Sequence, residues 1–315
     1  MHHAPLLAAI DLGSNCFRLE ISRCEDGRIE RVQYLKEIVR QGNGLDDNGD
    51  LSLAAMQRGW ECLARFAQCL AGFPCIRVRA IATQTLRQAR NRSVFLQHGS
   101  AVLGHPIDVL SGTEEAQLVY QGVARLLPAS NERRLVLDIG GRSTELILGQ
   151  QYTAHAVVSF PVGSVAWSMR YFADGQLTPQ AFASAQDSAR AALEPALAVY
   201  HRTAWEVAYG SSGTVTAAHD ILTSAGRPAG SITRADLGWL QAHLLLAQSN
   251  IHLAHLKESR RPMIGGGISV LRAVFDLLDI DTLHVVRGAL RQGVLYELSV
   301  GDLPLHTAAS NLAAL

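Results

Sequence analysis

The chain has 315 residues, 28 basic against 28 acidic side chains and a hydrophobic share of 48%. That length suggests two domains of roughly 150 residues each, and zero net charge excludes a general nucleic-acid coat, leaving a polyanion only a local basic patch. No apolar run reaches the ~20 residues of a membrane span, and the 5 cysteines (Cys16, Cys24, Cys62, Cys69 and Cys75) show no Cys-x-x-Cys pair or zinc spacing, which points to a reducing cytoplasm.

Met1-His2-His3 reads as a disordered start. Residues 7–21, LAAIDLGSNCFRLEI, then read as strand, tight turn, strand: Asp11 ends the first, Gly13, Ser14 and Asn15 turn, and Phe17, Leu19 and Ile21 alternate along the second. Arg28 to Ile38 alternates as a third strand. The Gly/Asn/Asp-rich loop from Gln41 to Asp50 lacks the twelfth-position Glu and the register of a calcium loop. Ser52 caps a helix to about Leu70, with Leu53, Met56, Trp60, Leu63 and Phe66 at helical spacing. Cys75 to Ala82 is a fourth strand. Thr83 then caps a helix through about His98 that sets Arg87, Arg90 and Asn91 on one face. A charged helix face is commonly just solvated, but this one starts at the carboxyl end of a strand, the edge that carries sites in open α/β sheets.

Pro106 to Leu110 is a fifth strand, followed by a helix to about Leu126. Ser111 and Glu114 have capping-box spacing, which gives Glu114 a structural role. Glu115 has no such role. It is either a partner of the helix dipole or a functional acid. Residues 128–132 form the expected hinge, dividing domain one (1–127) from domain two (128–297), with the tail 298–315 folding back on the first.

Residues 135–149, LVLDIGGRSTELILG, repeat the opening device: Asp138 ends a strand, Gly140 and Gly141 turn, and a second strand leaves. One Asp before Gly is ordinary turn chemistry. Two copies suggest a duplicated fold, and Ser143, Thr144 and Glu145 add a polar run that burial would not require. Such turns cradle phosphate through backbone N–H groups while the Asp holds a metal or a water.

A further strand ends near Phe160. Helices follow from Ser164 to Phe172 and from Thr178 to Tyr200, the latter with Pro179 in its first turn. Trp205 to Tyr209 is a short strand that runs into GSSGT at 210–214. Gly213 there opens a helix and offers an anion seat, or simply a close turn. The region from Thr233 to about Leu256 is helical, and His243, His252 and His255 lie in it without carboxylate partners at ligand spacing. MIGGGISVL at 263–271 reads as strand, glycine turn and helix, the triple glycine admitting another backbone. Thr282 to Val286 is the last strand, and RGALRQGVLYE at 287–297 opens the last helix.

Three strands, helix, strand, helix, strand, helix, twice over, is a duplicated α/β architecture. The stretches AIDLGSNCFRLEI, GNGLDDNGDLS, AIATQTLRQARNRSVFL, LSGTEEAQLVYQGV, LVLDIGGRSTELILG, GSSGTVTAAHD and RGALRQGVLYEL occur in order over nearly the whole chain. Through them the chain resembles the exopolyphosphatase / guanosine pentaphosphate phosphatase family. The resemblance implies the actin-like (sugar kinase/Hsp70/actin superfamily) fold with its active site in the interdomain cleft. It also implies metal-dependent hydrolysis of terminal phosphoanhydride bonds.

It implies Glu115 as the catalytic base. Phosphate falls to Asp11, Gly13, Ser14 and Asn15 in the first turn, to Gly140, Gly141 and Ser143 in the second, and to Arg87. Mg2+ falls to Asp138 and Glu145. Inorganic polyphosphate is the expected substrate, guanosine pentaphosphate the alternative, with no nucleic acid and no membrane as partners; a homodimer is compatible with all of this. A non-hydrolytic sensor is a competing class, and a kinase-like ATPase another, although superfamily kinases lack the Ser-Gly-x-Glu-Glu-Ala segment. Arg142 departs from the family's third glycine, which leaves either a position that needs no positive φ or a strained one. Longer members carry helical domains after this core, so the short chain is expected to prefer short polyphosphates and to let go between cleavages.

Overall fold

The computed structural model describes residues 5–25, 27–73, 76–246 and 258–301. The expectations for Met1 to His3, Cys75, His252, His255 and the tail beyond Gly301 fall outside them. Two compact units form, one from Met1–Ser111 with Leu290–Leu315, the other from Gly112–Ala289.

The first unit holds β1 (Leu6–Leu12), β2 (Cys16–Glu25), β3 (Arg28–Ile38), α1 (Leu53–Leu70), β4 (Ile76–Ala82), α2 (Gln84–Gln88), α3 (Arg92–Leu103) and β5 (Ile107–Val109). Its sheet runs β3-β2-β1-β4-β5, with β1 parallel to β4 and antiparallel to β2. The central strand β1 is apolar at nearly every position because both of its faces are covered. Ser52 caps α1 as expected, accepting from Ala55 N. The buried stripe Met56, Cys62, Leu63, Phe66 and Leu70 faces the sheet. Each such large side chain contributes about 1.5–3 kcal/mol by leaving water.

The helix expected from Thr83 to His98 is in fact two. Asn91 exchanges hydrogen bonds with the Leu51 backbone at 2.9 and 3.0 Å, and Arg90 N donates to Gly49 O at 2.8 Å. These bonds pull the chain out of helical geometry between α2 and α3. Arg87, Arg90 and Asn91 therefore share no helix face, and Thr83 makes no side-chain cap bond.

The second unit holds α4 (Gly112–Ala124), β6 (Arg133–Ile139), β7 (Thr144–Gln150), β8 (Thr153–Phe160), α5 (Ser164–Tyr171), α6 (Pro179–Leu193), α7 (Leu197–Tyr200), β9 (Val207–Ser211), α8 (Ser212–Ser224), β10 (Ser231–Thr233), α9 (Arg234–Leu246), α10 (Ile264–Leu278) and β11 (Thr282–Val285). Its sheet runs β10-β11-β9-β6-β7-β8. Read from β8, this repeats the first sheet's order, and β10 is an antiparallel addition at the far edge. The repeat is the duplication expected from the two Asp-Gly turns. The helix expected from Thr178 to Tyr200 keeps its Thr178 cap but is interrupted by a 3₁₀ turn at Pro195, which has no N–H to continue it.

Two corrections concern where elements pack. The helix α4 belongs to the second unit, where it lies on β7 and β8. A Cβ on Gly149 would overlap the Tyr120 ring, so the glycine is what lets α4 approach. The last helix, α11 (Leu290–Val300), belongs to the first unit. Arg77 donates to Gly301 O at 2.9 Å, Arg79 pairs with Glu297, and Arg291 bonds Glu20 at 3.2 Å. The boundary at 128–132 and the second domain's end at 297 are thus displaced by one helix each. A third correction concerns the triple glycine. No strand or turn forms there: α10 runs through Gly265, Gly266 and Gly267. A Cβ on Gly266 would stand 2.6 Å from Ser164 O and overlap Ser168 N, so close packing on the α5 backbone, not turn geometry, requires the glycine.

Candidate active site

The hairpin of β6 and β7 places Asp138 directly opposite Glu145. Gly140 N donates to Ser143 O at 2.9 Å and closes the turn. The start of α5 then clamps it: Ser164 N donates to Gly140 O at 2.9 Å and Val165 N to Gly141 O at 2.7 Å. A Cβ on Gly163 would overlap the Gly141–Arg142 backbone, so Gly163 is what allows the clamp. The Gly140 amide is consequently spent inside the turn, whereas the expectation is that the turn's N–H groups cradle phosphate. Arg142 adopts no positive φ, nor do Gly140 and Gly141. Arginine in place of the third glycine therefore costs no left-handed strain.

Glu145 is 1% exposed. Burial, then Glu115, then Asp138 push its carboxyl well above the ordinary range, while hydrogen bonds from Ser159 and Ser143 oppose them. Asp138 lies opposite Glu145 across the hairpin, and the charge of Glu115 on α4 is felt at Glu145. Within the Glu114–Glu115 pair the structure discriminates: Glu115 is buried and Glu114 exposed. Asp138 accepts from Ser211 Oγ at 2.6 Å and Glu145 from Ser159 Oγ at 2.7 Å. Neither serine was singled out in the sequence. Ser159 is legible only as the register partner of Glu145 across β7 and β8.

Ser211 is set by the turn into α8. Ser212 sits at φ 95°, a conformation costing about 1–3 kcal/mol for a non-glycine residue, and its Oγ accepts from Thr214 N at 3.2 Å. Gly213 follows, and the Arg260 guanidinium covers its α-carbon so closely that a Cβ would overlap it.

The first hairpin is built alike but charged differently. Arg18 stands opposite Asp11 and donates to it at 3.0 Å, with Arg291 at 3.6 Å. The acid of this copy is already neutralised by arginine, whereas its counterpart faces a second acid. Ser14 accepts from Thr85 Oγ1 at 2.8 Å, and Asn15 O accepts from Val39 N and Arg40 N at 3.0 and 2.9 Å. The Gly13–Asn15 loop is therefore fixed from both sides. Arg87 is half-buried, donating to Gln84 Oε1 and Leu110 O at 2.8 Å each. Among the described residues no group of three or more His, Cys, Asp or Glu is placed to hold a metal ion by itself, and no helix is long and apolar enough to cross a membrane.

Two sheets of one strand order, each opened by an Asp-ended hairpin, define a duplicated α/β protein of the actin-like class. Within that class the chain belongs to the Ppx/GppA phosphatase family, whose profile matches residues 20–300. The guanosine-5'-triphosphate,3'-diphosphate pyrophosphatase of Vibrio vulnificus (strain YJ016) is 43% identical over 298 residues, covering 94% of this chain and 60% of the relative. The chain thus spans about 60% of the length of the curated relatives it matches. An exopolyphosphatase structure from Cytophaga hutchinsonii superposes with a TM-score of 0.81 at 22% identity, covering 93% of this chain and 97% of that one. The Ppx/GppA family member of Aquifex aeolicus gives a TM-score of 0.76 at 23% identity, with 93% and 97% covered. These two likenesses establish the fold.

Proposed function

We propose that the chain hydrolyses terminal phosphoanhydride bonds, releasing orthophosphate. The carrying observation is the convergence of Glu115 and Asp138 on the buried Glu145. Two buried carboxylates with a third, half-buried one opposite are costly unless positive charge joins them. Phosphoryl transfer calls for charge neutralisation, alignment and a held water rather than covalent chemistry. Glu115 holds the water and takes its proton. The turn at Gly141 and Ser143 and the helix start at Gly213 hold phosphate in the second unit, Gly140 serving to close that turn. In the first unit, taken by itself, Asp11, Gly13, Ser14, Asn15 and Arg87 are the residues we assign to phosphate.

A divalent cation, Mg2+, fits this donor set. Asp138 and Glu145 offer hard oxygens on one hairpin, and Mg2+ ordinarily takes one or two carboxylates and completes its shell with water and substrate phosphate. Among the described residues no ligand cluster is self-sufficient, so water and phosphate would complete the shell. When bound, it would neutralise phosphate oxygens as negative charge moves to the leaving group.

The substrate reading favoured is guanosine 5'-triphosphate 3'-diphosphate, because the relative with 43% identity carries that name. Inorganic polyphosphate is the second reading, supported by the same chemistry at a terminal phosphate. Cys16, Cys24, Cys62 and Cys69 are all free thiols, which suits a reducing cytoplasm. The test is orthophosphate release from guanosine pentaphosphate, polyphosphate and ATP, each with and without Mg2+. Release from either of the first two that needs the cation, with ATP spared, supports the reading. Binding without release would make the chain a sensor.

Arg87→Ala is expected to cost about 1.5–3 kcal/mol in kcat/KM, the range for a hydrogen bond to a charged group. Arg92→Ala, at an exposed position nearby, is expected to be close to neutral. Steady-state kinetics on both variants decides it, and equal losses would mean diffuse attraction instead of a specific ligand.

A further inference from the structure

Ser159 touches two of the elements that carry the acidic groups, β7 and α4. It faces Glu145 across the β7–β8 register, and its hydroxyl donates to Glu145 Oε1 at 2.7 Å. On its other side it meets the first residue of α4. A Cβ on Gly112 would stand 2.5 Å from Ser159 Cβ and 3.0 Å from its Oγ, so the helix start rests directly on this side chain. Glu115 follows one turn later on the same helix. A larger residue at 159 would lift α4, and a smaller one would leave the carboxylate to Ser143 alone.

We propose that Ser159 is a positioning residue, one that fixes the Glu145 carboxylate and sets its separation from Glu115. The need is electrostatic. A carboxylate crowded by two others turns away from them unless something grips it, and groups that grip a metal-binding carboxylate hold it ready for the ion. Gly112 is the matching half of the device, since only a residue without Cβ lets α4 sit on Ser159. This inference rests on the reading of Glu145 as a cation ligand.

The test uses Mn2+ as probe, titrated by electron paramagnetic resonance into the full chain without substrate. Wild type, Ser159→Ala, Gly112→Ala and Glu145→Gln are compared, each with its thermal unfolding midpoint and its kcat. Ser159→Ala keeps the contact with Gly112 and deletes only the hydroxyl. It is expected to weaken Mn2+ binding about tenfold or more, the usual loss for a group that orients a ligand, while the midpoint holds. Gly112→Ala keeps the hydroxyl on Glu145 but displaces α4, so it is expected to retain most Mn2+ affinity and lose kcat. That split between binding and turnover is one that a merely structural role would not produce. Ser159→Ala with wild-type Mn2+ affinity overturns the inference, as does a loss that only follows a fallen midpoint. Should Ser159→Ala fail to fold, Gly112→Ala decides alone: unchanged kcat overturns the inference. A wild-type chain that binds no Mn2+ removes the cation reading, and the inference with it, an outcome distinct from the others.

Discussion

Glu115→Gln is expected to abolish turnover, by about 10²–10⁴-fold in kcat, the range for a general base. The amide keeps the shape of the side chain but takes no proton from water. Stability is expected to move the other way. Glu115 is among the charges that push the Glu145 carboxyl upward, so removing its charge relieves repulsion, and the thermal midpoint is expected to hold or rise. Glu114→Gln alters an exposed side chain and is expected to leave kcat within a factor of about two, as surface changes usually do. Measuring kcat and the midpoint on both variants settles which acid matters. A dead Glu114→Gln with an active Glu115→Gln would reverse the assignment.

The second large effect concerns the cation. Asp138→Asn and Glu145→Gln are each expected to raise the Mg2+ concentration for half-maximal rate at least about tenfold, with kcat partly recovered at high Mg2+. Because both carboxylates serve one ion, the double variant is expected to lose less than the product of the two. The amides still accept the hydroxyls of Ser211 and Ser159, so the hairpin has no reason to collapse. Glu145 adds a stability signature. Its carboxyl is raised in the folded state, so the folded chain binds its proton more tightly than the unfolded chain, and stability is lost as pH rises from the ordinary carboxylate range up through that raised value. Glu145→Gln removes that cost, and the metal-free variant is expected to melt higher than metal-free wild type at neutral pH. Magnesium titrations of rate show whether these residues hold the ion; an unmoved midpoint in both variants would take them out of the cation site.

The hairpins of the candidate site were legible because their signals are local. An apolar run ending in Asp, a glycine turn and a second run define each hairpin, and hairpin pairing then sets Asp138 against Glu145. The same logic, carried through the first hairpin, would have set Arg18 against Asp11. Capping-box spacing sets Glu114 apart from Glu115, and the two do differ in burial. What escaped was settled by residues far apart in the chain. The break between α2 and α3 depends on Asn91 meeting Leu51, and α11 joins the first unit through Arg77 and Arg79.

The triple glycine escaped for a related reason. Each glycine costs a helix interior about 1 kcal/mol relative to alanine, so sequence logic places a turn there. In α10 that cost is offset by burial, with Gly265, Gly266 and Gly267 all within the core and Gly266 against the α5 backbone. Ser159 and Gly112 were equally invisible, because a serine in a strand and a glycine at a helix start are unremarkable until β8 and α4 are seen to meet.

The central claim is attack by water on a terminal phosphorus. It is tested most directly by hydrolysing guanosine pentaphosphate with Mg2+ in ¹⁸O-enriched water and following ¹⁸O by mass spectrometry. The account predicts that one ¹⁸O enters the released orthophosphate, that the guanosine tetraphosphate carries none, and that both products vanish with Glu115→Gln. Label in the nucleotide, or release that survives loss of Glu115, would contradict it.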